Sequence, residues 1–285
     1  MPIVELPAGP VAYEDTGGSG PPVVLTHGVP MDGRVWRKVV PLLPDFRCIT
    51  PTLPLGGHRH PMRDDADLTQ RGVARVLADF LDALDLRDVT LVLNDWGGGQ
   101  FLINEGRTDR LGRLVLVACE AFDNFPPGPV RTLGALVRRV PGVLGLFLQL
   151  MRLRPVRRMR RGYGGLSLVG IPDDLLFDWF TPALRDRRIR RDFARFAAGS
   201  PSRATLLDWA EAGREFTRPV LVVWADHDPL MPAEHGPRLA AHYPNARLVV
   251  IENSATLVAE DQPERLASVL TDFVRAETPS GPSTG

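Results

Sequence analysis

The hydrophobic positions of the chain form two alternating patterns, which are short continuous apolar runs and longer segments with helical spacing. The runs have the length and β-branched composition of buried strands, at residues 3–6, 11–15, 23–26, 47–50, 89–93, 114–118, 220–224 and 248–251. Between them, apolar residues recur with helical spacing at residues 34–43, 68–84, 100–106, 233–242 and 262–275. The alternation predicts an α/β fold, with a mostly parallel central sheet flanked by helices.

The alternation is interrupted between residues 122 and 205, where no strand is predicted and Pro and Gly break several helical stretches. We interpret this region as a helical cap inserted over the sheet. The predicted organisation is a core at residues 1–121 and 206–276, a cap at 122–205 and a disordered tail at 277–285 that is rich in Pro, Ser, Thr and Gly.

Composition narrows the class of protein without identifying it. The chain has 285 residues, 44% of them hydrophobic and 24% charged, with a net charge of zero. These values are ordinary for one large globular domain and give no indication of a nucleic-acid partner. Cys48 and Cys119 end apolar runs, which favours buried thiols over a disulfide. The N-terminus lacks a signal-peptide pattern and no apolar run has membrane-spanning length, so we expect a cytoplasmic monomer or homodimer.

The most informative stretch is residues 89–100, where a buried strand reaches Asn94-Asp95-Trp96 and three glycines precede a helix. A strand that turns sharply into a helix is typical of a nucleophile elbow, and its central residue is Asp95. A carboxylate there can attack an sp3 carbon and form an ester, and the helix N-terminus favours its charge. The alternative is that Asn94-Asp95 only caps the helix.

Other polar groups follow the ends of neighbouring predicted strands. They are His27-Gly28-Val29-Pro30, the long loop 51–67, Glu120 and Asp226-His227-Asp228. In parallel sheets, ligands bind at the carboxyl ends of the strands. We therefore expect a small-molecule substrate at this edge of the sheet. No cluster of His and Cys indicates a metal, and no organic cofactor is implied.

At this point the chain resembles the α/β-hydrolases over residues 11–274. Asp95-Trp96-Gly97-Gly98 is similar to the nucleophile turn of haloalkane dehalogenases and epoxide hydrolases, and His27-Gly28-Val29-Pro30 to their His-Gly-x-Pro loop. The resemblance implies that the N–H groups of Val29 and Trp96 form an oxyanion hole. It also implies a halide contact through the Trp96 indole, a role that competes with simple packing.

The resemblance leaves two acids open, Asp228 after the penultimate strand and Glu120 at an alternative position, with Asp228 slightly favoured. Val29 is apolar where dehalogenases usually carry Asn or Glu, which favours an epoxide-hydrolase-like assignment. Epoxide hydrolases protonate the leaving alkoxide with cap tyrosines, and Tyr163 is the only tyrosine in the cap. The expected substrate pocket includes His27, Trp179, Tyr163 and Thr256.

The largest departure from the family pattern is the catalytic histidine. The family has His before the final helix, and the corresponding position here is Thr256. Thr cannot take a proton from water at neutral pH, so the base for ester hydrolysis is missing. His58, His60 and His227 are possible substitutes, although for each of them a solvated loop position is the favoured interpretation.

The predicted cap contains no acidic residue between Asp123 and Asp173 but has nine arginines, at positions 131, 138, 139, 152, 154, 157, 158, 160 and 161. Apolar residues lie between them. Such a segment can form a basic amphipathic surface for a membrane, an acidic carrier protein or an anionic substrate. We favour the alternative of a lid with an apolar underside and a solvated Arg face.

Three functions remain compatible with the sequence. The first is a hydrolase that uses Asp95 as nucleophile on an epoxide, an alkyl halide or a related apolar electrophile, through a covalent ester. The second is a lyase, isomerase or cyclase on the same fold with Asp95 as base. The third is an inactive ligand-binding member, which the missing histidine permits. We favour the first.

Overall fold

A computed structural model of the chain describes residues 1–276, and the predicted tail lies outside them. Eight strands form one sheet in the order β1-β2-β4-β3-β5-β6-β7-β8. The pairs β1/β2 and β2/β4 are antiparallel and the other pairs are parallel. The strands are Ile3–Leu6, Gly9–Asp15, Pro22–Leu25, Arg47–Pro51, Val89–Asp95, Leu111–Cys119, Val220–Ala225 and Ala246–Ile251. The predicted α/β fold with a mostly parallel sheet is confirmed.

Helices surround the sheet and fill the connections between its strands. They are α1 Gln70–Ala83, α2 Phe101–Asn104, α3 Gly128–Arg139, α4 Val143–Leu150, α5 Arg154–Arg157, α6 Asp173–Arg185, α7 Arg187–Ala198, α8 Arg203–Glu211, α9 His235–His242, α10 Val258–Asp261 and α11 Pro263–Arg275. The helix α1 begins at a Thr69 cap that accepts the Gly72 N–H at 3.2 Å. Its buried residues form one face, as the apolar spacing predicted.

Two predicted helices are shorter than the sequence pattern indicated. Residues 34–43 form two separate 3-10 turns, Gly33–Trp36 and Val40–Leu42. Pro41 lies in the second turn and cannot donate an N–H to a continuous helix, which explains the break. The elbow helix begins with a 3-10 turn at Gly98–Gln100 and continues as α2.

The central strand β5 is buried along its whole length, because β3 and β6 flank it and helices cover both faces. The turn that follows depends on glycines. A Cβ atom at Gly97 would overlap the Glu120 carbonyl oxygen, and one at Gly98 would overlap the Trp96 ring. These close approaches place the end of β5 directly beside the end of β6.

The inserted region folds as helices α3 to α7, and its first part lies over the carboxyl ends of the strands. Helix α7 packs against α3 and α6. Both cysteines are buried free thiols, as predicted. Within residues 1–276 no helix is both long enough and apolar enough to span a bilayer.

Candidate active site

Asp95 is the last residue of β5 and has a strained backbone. Its φ of 59° lies in the left-handed region, which a non-glycine residue rarely adopts. The β5/β6 pairing is irregular between Asn94 and Asp95, so the chain turns at this point. The Asn94 amide steadies the turn by donating to the Val117 carbonyl at 3.0 Å and to the Thr256 carbonyl at 2.8 Å. The geometry is that of an elbow presenting the Asp95 carboxyl above the sheet.

The loop after β3 supplies a hydrogen bond to this carboxyl. The Val29 N–H donates to Asp95 Oδ2 at 3.1 Å. Gly28 lies so close that a Cβ atom there would overlap the same carboxylate oxygen. One Asp95 oxygen is thereby held by the loop, in the manner expected for the Val29 half of an oxyanion site.

The Trp96 side chain is not where a halide-binding role requires it. Its indole is fully buried, does not line the cavity above Asp95, and donates to Gln70 Oε1 at 2.8 Å. An indole N–H that is already paired inside the fold cannot also reach an anion in the cavity. The expected halide contact is therefore not supplied by Trp96, and Gln70 is the residue that fixes its orientation.

An apolar cavity of about 270 Å³ lies above Asp95. Its floor comes from the strand ends, with Val29, Asp95, Glu120 and Leu230. Its walls come from the inserted helices and include Leu133, Phe147, Met151, Val156, Tyr163 and Leu166. Apolar walls over a small number of polar groups are typical of a substrate site. The sequence pattern had indicated an apolar underside to the cap without identifying which of its residues face the floor.

Two carboxyl groups line the same apolar cavity. Burial raises the pKa of Asp95 to about 7, and the nearby charge of Asp228 adds to this while the Val29 N–H opposes it. Burial and the Asp95 charge raise the pKa of Glu120 well above its ordinary value. Glu120 Oε2 has no hydrogen-bond partner among the described residues. Burial thus favours the neutral form of Glu120, whereas Asp95 is divided between both forms at neutral pH.

Asp228 differs from Glu120 in being held by several donors. Its Oδ1 accepts the Leu230 N–H at 2.8 Å, the Met231 N–H at 3.0 Å and the Thr256 hydroxyl at 2.8 Å. Burial nevertheless raises its pKa. Thr256 thus hydrogen-bonds the acid that a histidine would bind at this position, but its hydroxyl is not basic enough to accept a proton from water.

The three proposed substitute histidines do not reach the cavity. His58 is buried, accepts the Gly56 N–H, and places Nε2 3.4 Å from Asp192 Oδ2 in α7. His60 lines a separate cavity with Asp32 and Arg34, and His227 is largely exposed beside Asp226. For His58, the position is explained by Asp192, a partner that the sequence pattern could not reveal.

His27 and Trp179 also lie outside the cavity. The His27 ring accepts the Leu53 N–H at Nε2 and donates from Nδ1 to the Gly28 carbonyl, both at 2.9 Å. Burial lowers its pKa, so it is a neutral structural link. The Trp179 indole donates to Asp32 Oδ1 at 3.2 Å. Each polar group is satisfied inside the protein instead of facing substrate.

Tyr163 lines the cavity. Its ring packs edge-on against Phe180 with the centroids 4.9 Å apart. Burial raises the pKa of its hydroxyl, and the Asp95 charge contributes. The hydroxyl therefore remains protonated at neutral pH.

The fold and this site together define a class of enzyme, in which a nucleophile elbow ends a central parallel strand beneath a helical cap. The sequence matches the alpha/beta hydrolase fold family over residues 21–263, and the chain belongs to that family. The chain is accordingly a hydrolase on this fold.

Relatives and solved structures refine the comparison. A haloalkane dehalogenase of Mesorhizobium japonicum is 42% identical over 139 residues, which are 47% of this chain and 44% of that protein. Haloalkane dehalogenase 2 of Mycobacterium bovis is 27% identical over 93% of this chain and 91% of its own length. The crystal structure of a putative ancestral haloalkane dehalogenase superposes with a TM-score of 0.76 at 24% identity, covering 96% of this chain and 98% of its own. This last similarity concerns the fold alone.

Proposed function

We propose that this hydrolase opens an apolar epoxide through a covalent ester on Asp95. The observation that carries the proposal is the Asp95 carboxyl at the floor of the apolar cavity, with Oδ2 held by the Val29 N–H at 3.1 Å. Oδ1 has no hydrogen-bond donor among the described residues and is the oxygen available for attack. The carboxylate needs no separate base for this step.

An epoxide fits the cavity better than an alkyl halide does. A departing halide needs N–H donors, and the Trp96 indole is already paired with Gln70. An opening epoxide instead needs a proton for its alkoxide. Tyr163 and Glu120 both line the cavity, and burial raises the pKa of both, which favours the protonated form of each. The site is rich in proton donors to oxygen and poor in donors to halide.

The second step requires a base, and Glu120 is better placed for it than Asp228. Glu120 lines the cavity, whereas Asp228 does not line it and has its Oδ1 held by three donors. Each of the two carboxyls keeps one oxygen without a hydrogen-bond partner among the described residues. In the proposed cycle Asp95 attacks the epoxide carbon, the C–O bond breaks, and protonated Glu120 gives its proton to the alkoxide. Tyr163 hydrogen-bonds the same oxygen.

The cycle closes with water. The Glu120 carboxylate takes a proton from water, and the hydroxide adds to the ester carbonyl of Asp95. The intermediate then collapses to the Asp95 carboxylate and the diol, with the remaining hydroxyl proton passing to the departing oxygen. Because the ester is uncharged, its formation removes the negative charge that raises the pKa of Glu120. Glu120 thus becomes easier to deprotonate at the step that needs a base.

Isotope labelling tests the nucleophile. One turnover with a panel of apolar epoxides in heavy-oxygen water places solvent oxygen in the Asp95 carboxylate if an ester forms and water attacks its carbonyl. Peptide mass spectrometry locates the label, and Asp95→Asn serves as the control that forms no ester. Solvent oxygen found only in the diol would show direct attack by water and contradict the proposal.

A second pair of variants tests the base. Glu120→Gln is expected to accumulate the ester on Asp95, with turnover about 10² to 10⁴-fold lower. In this variant the Tyr163 hydroxyl is left to protonate the alkoxide of the first step. Adding Thr256→His to Glu120→Gln restores a basic nitrogen beside Asp228 and is expected to recover part of the loss in the second step, whereas adding Thr256→Val recovers none. Full turnover by Glu120→Gln alone would exclude Glu120 as the base.

A further inference from the structure

Exposed apolar side chains are concentrated on the first part of the cap. Large exposed apolar residues of the described chain include six between positions 136 and 159, namely Leu136, Val140, Leu146, Leu150, Leu153 and Met159. Leu146 is 63% exposed and Leu153 is 55% exposed. Single exposed apolar residues need no explanation, but a concentration of this size in one segment does. We call the exposed side of residues 136–161 the cap surface.

The cap surface is also strongly basic. Residues 124–172 contain nine arginines and no acidic residue, so the rest of this neutral chain carries 25 basic and 34 acidic residues. Asp173 binds the buried Arg157 and lies 3.5 Å from Arg154. No ion pair with an acidic residue in the described part of the chain is formed by Arg138, Arg139, Arg160 or Arg161. The cap segment therefore carries net positive charge, and the rest of the chain carries net negative charge.

Helix α4 carries apolar side chains on its exposed side as well as on its buried side. Its Leu144 and Leu148 are buried, and Phe147 lines the cavity. Leu146 and Leu150, which are four residues apart, lie on the exposed side. The helix thus has two apolar faces, one for the cavity and one for the outside. A helix that only closed the cavity would need the first face alone.

The cavity reaches the cap surface. Met159, Arg161 and Gly162 line the cavity above Asp95 and are exposed to solvent at the same time. A molecule that covers the cap surface would accordingly lie next to the cavity opening.

We propose that the cap surface docks on an anionic lipid bilayer, so that the cavity opening faces the membrane. The aliphatic side chains enter the boundary between headgroups and acyl chains, and the arginines bind lipid phosphates and carboxylates. An RNA partner would call for aromatic side chains on which bases stack, and the exposed residues are aliphatic. An acidic protein would be matched by the arginines but not by the protruding leucines.

Vesicle binding by the full chain tests the proposal. Vesicles of phosphatidylcholine with about one third phosphatidylserine are compared with phosphatidylcholine alone, at physiological salt. Since each arginine near such a surface contributes roughly fivefold in partition coefficient, Arg138→Gln/Arg139→Gln/Arg160→Gln is expected to weaken binding at least about tenfold. The matched control removes three exposed arginines outside the cap, Arg63→Gln/Arg87→Gln/Arg265→Gln, and is expected to change binding less than about twofold.

A second variant separates insertion from simple charge attraction. Leu146→Ser/Leu150→Ser keeps every arginine and replaces two exposed isopropyl groups with hydroxyls, so its thermal melting is expected to stay close to that of the parent. Loss of vesicle binding in this variant supports docking through the cap surface. Absence of binding by the parent chain, undiminished binding by the leucine variant, or equally tight binding of the parent to a soluble RNA would overturn the proposal.

Discussion

Burial of the Asp95 carboxyl predicts a stability cost that depends on pH. Its pKa is raised from an ordinary 3.8 to about 7. A carboxyl whose pKa is raised in the folded state does not lower the free energy of unfolding at pH values below the pKa of the unfolded chain. The free energy of unfolding then falls as pH rises from about 4 to about 7. At 1.36 kcal/mol per pKa unit, the cost is about 4 kcal/mol at pH 8 and about 1 kcal/mol at pH 4.5. Asp95→Asn removes this cost while retaining an oxygen for the Val29 N–H.

Urea unfolding at the two pH values measures the effect. Asp95→Asn is expected to be more stable than the parent by up to about 4 kcal/mol at pH 8, and by about 1 kcal/mol at pH 4.5. The control Asp65→Asn makes the same chemical change at an exposed position and is expected to alter stability equally little at both pH values. An equal gain for Asp95→Asn at both pH values would refute the argument that a desolvated carboxylate causes it.

Three further results are expected. The rate of ester formation, measured as a pre-steady-state burst, falls tenfold per pH unit below about pH 7 and is level above it, because only ionised Asp95 attacks. Asp228→Asn moves the midpoint of this profile to lower pH, because it removes a negative charge that raises the pKa of Asp95. A profile that is flat from pH 5 to 8 would contradict this. Gly28→Ala places a Cβ atom against the Asp95 carboxylate and lowers ester formation at least about 100-fold, whereas an unchanged burst would show that the loop yields freely. Asp192→Ala leaves the Met62 N–H (2.8 Å from Asp192 Oδ2) and the buried His58 without their acceptor, so it destabilises by about 3 kcal/mol in thermal or urea unfolding, and a loss below about 1 kcal/mol would contradict a buried polar link.

The sheet could be predicted from the sequence because its strands are continuous apolar runs. All seven residues of β5 are buried, and within its run from Val89 to Leu93 only the β-branched Thr90 is polar. The elbow was visible for a related reason, since a polar residue followed by glycines directly after such a run is compatible with few local structures besides a tight strand-to-helix turn. The helix predicted at residues 34–43 failed because helical spacing was counted without the effect of Pro41.

The candidate site was only partly predictable, because side-chain orientation depends on partners that are distant in sequence. His58 turns toward Asp192, which lies 134 positions away. Trp96 turns toward Gln70, which occupies the first turn of α1 without any motif to mark it. The sequence pattern correctly placed these residues near the carboxyl ends of the strands. It contained no local signal that each side chain would pair with a partner inside the protein instead of facing the cavity.

Several hydrogen bonds attach the second part of the cap to the core, and Asn124 in its first part adds one by donating to the Leu230 carbonyl at 3.0 Å. Asp178 binds Arg34 at 2.6 Å and Arg59 at 2.7 Å, and Asp192 accepts the Met62 N–H. Ser167 donates to Asp261 at 2.6 Å. The walls of the cavity, by contrast, come mainly from residues 127–166.

The residues that hold the cap to the core and the residues that form the cavity walls thus belong to different segments of the chain. A lineage could exchange residues 127–165 for another helical segment, and so acquire a different substrate range, while the ties that fix the cap position stayed intact. The same division makes this segment a natural unit for grafting between relatives, with the elbow and its acids left untouched.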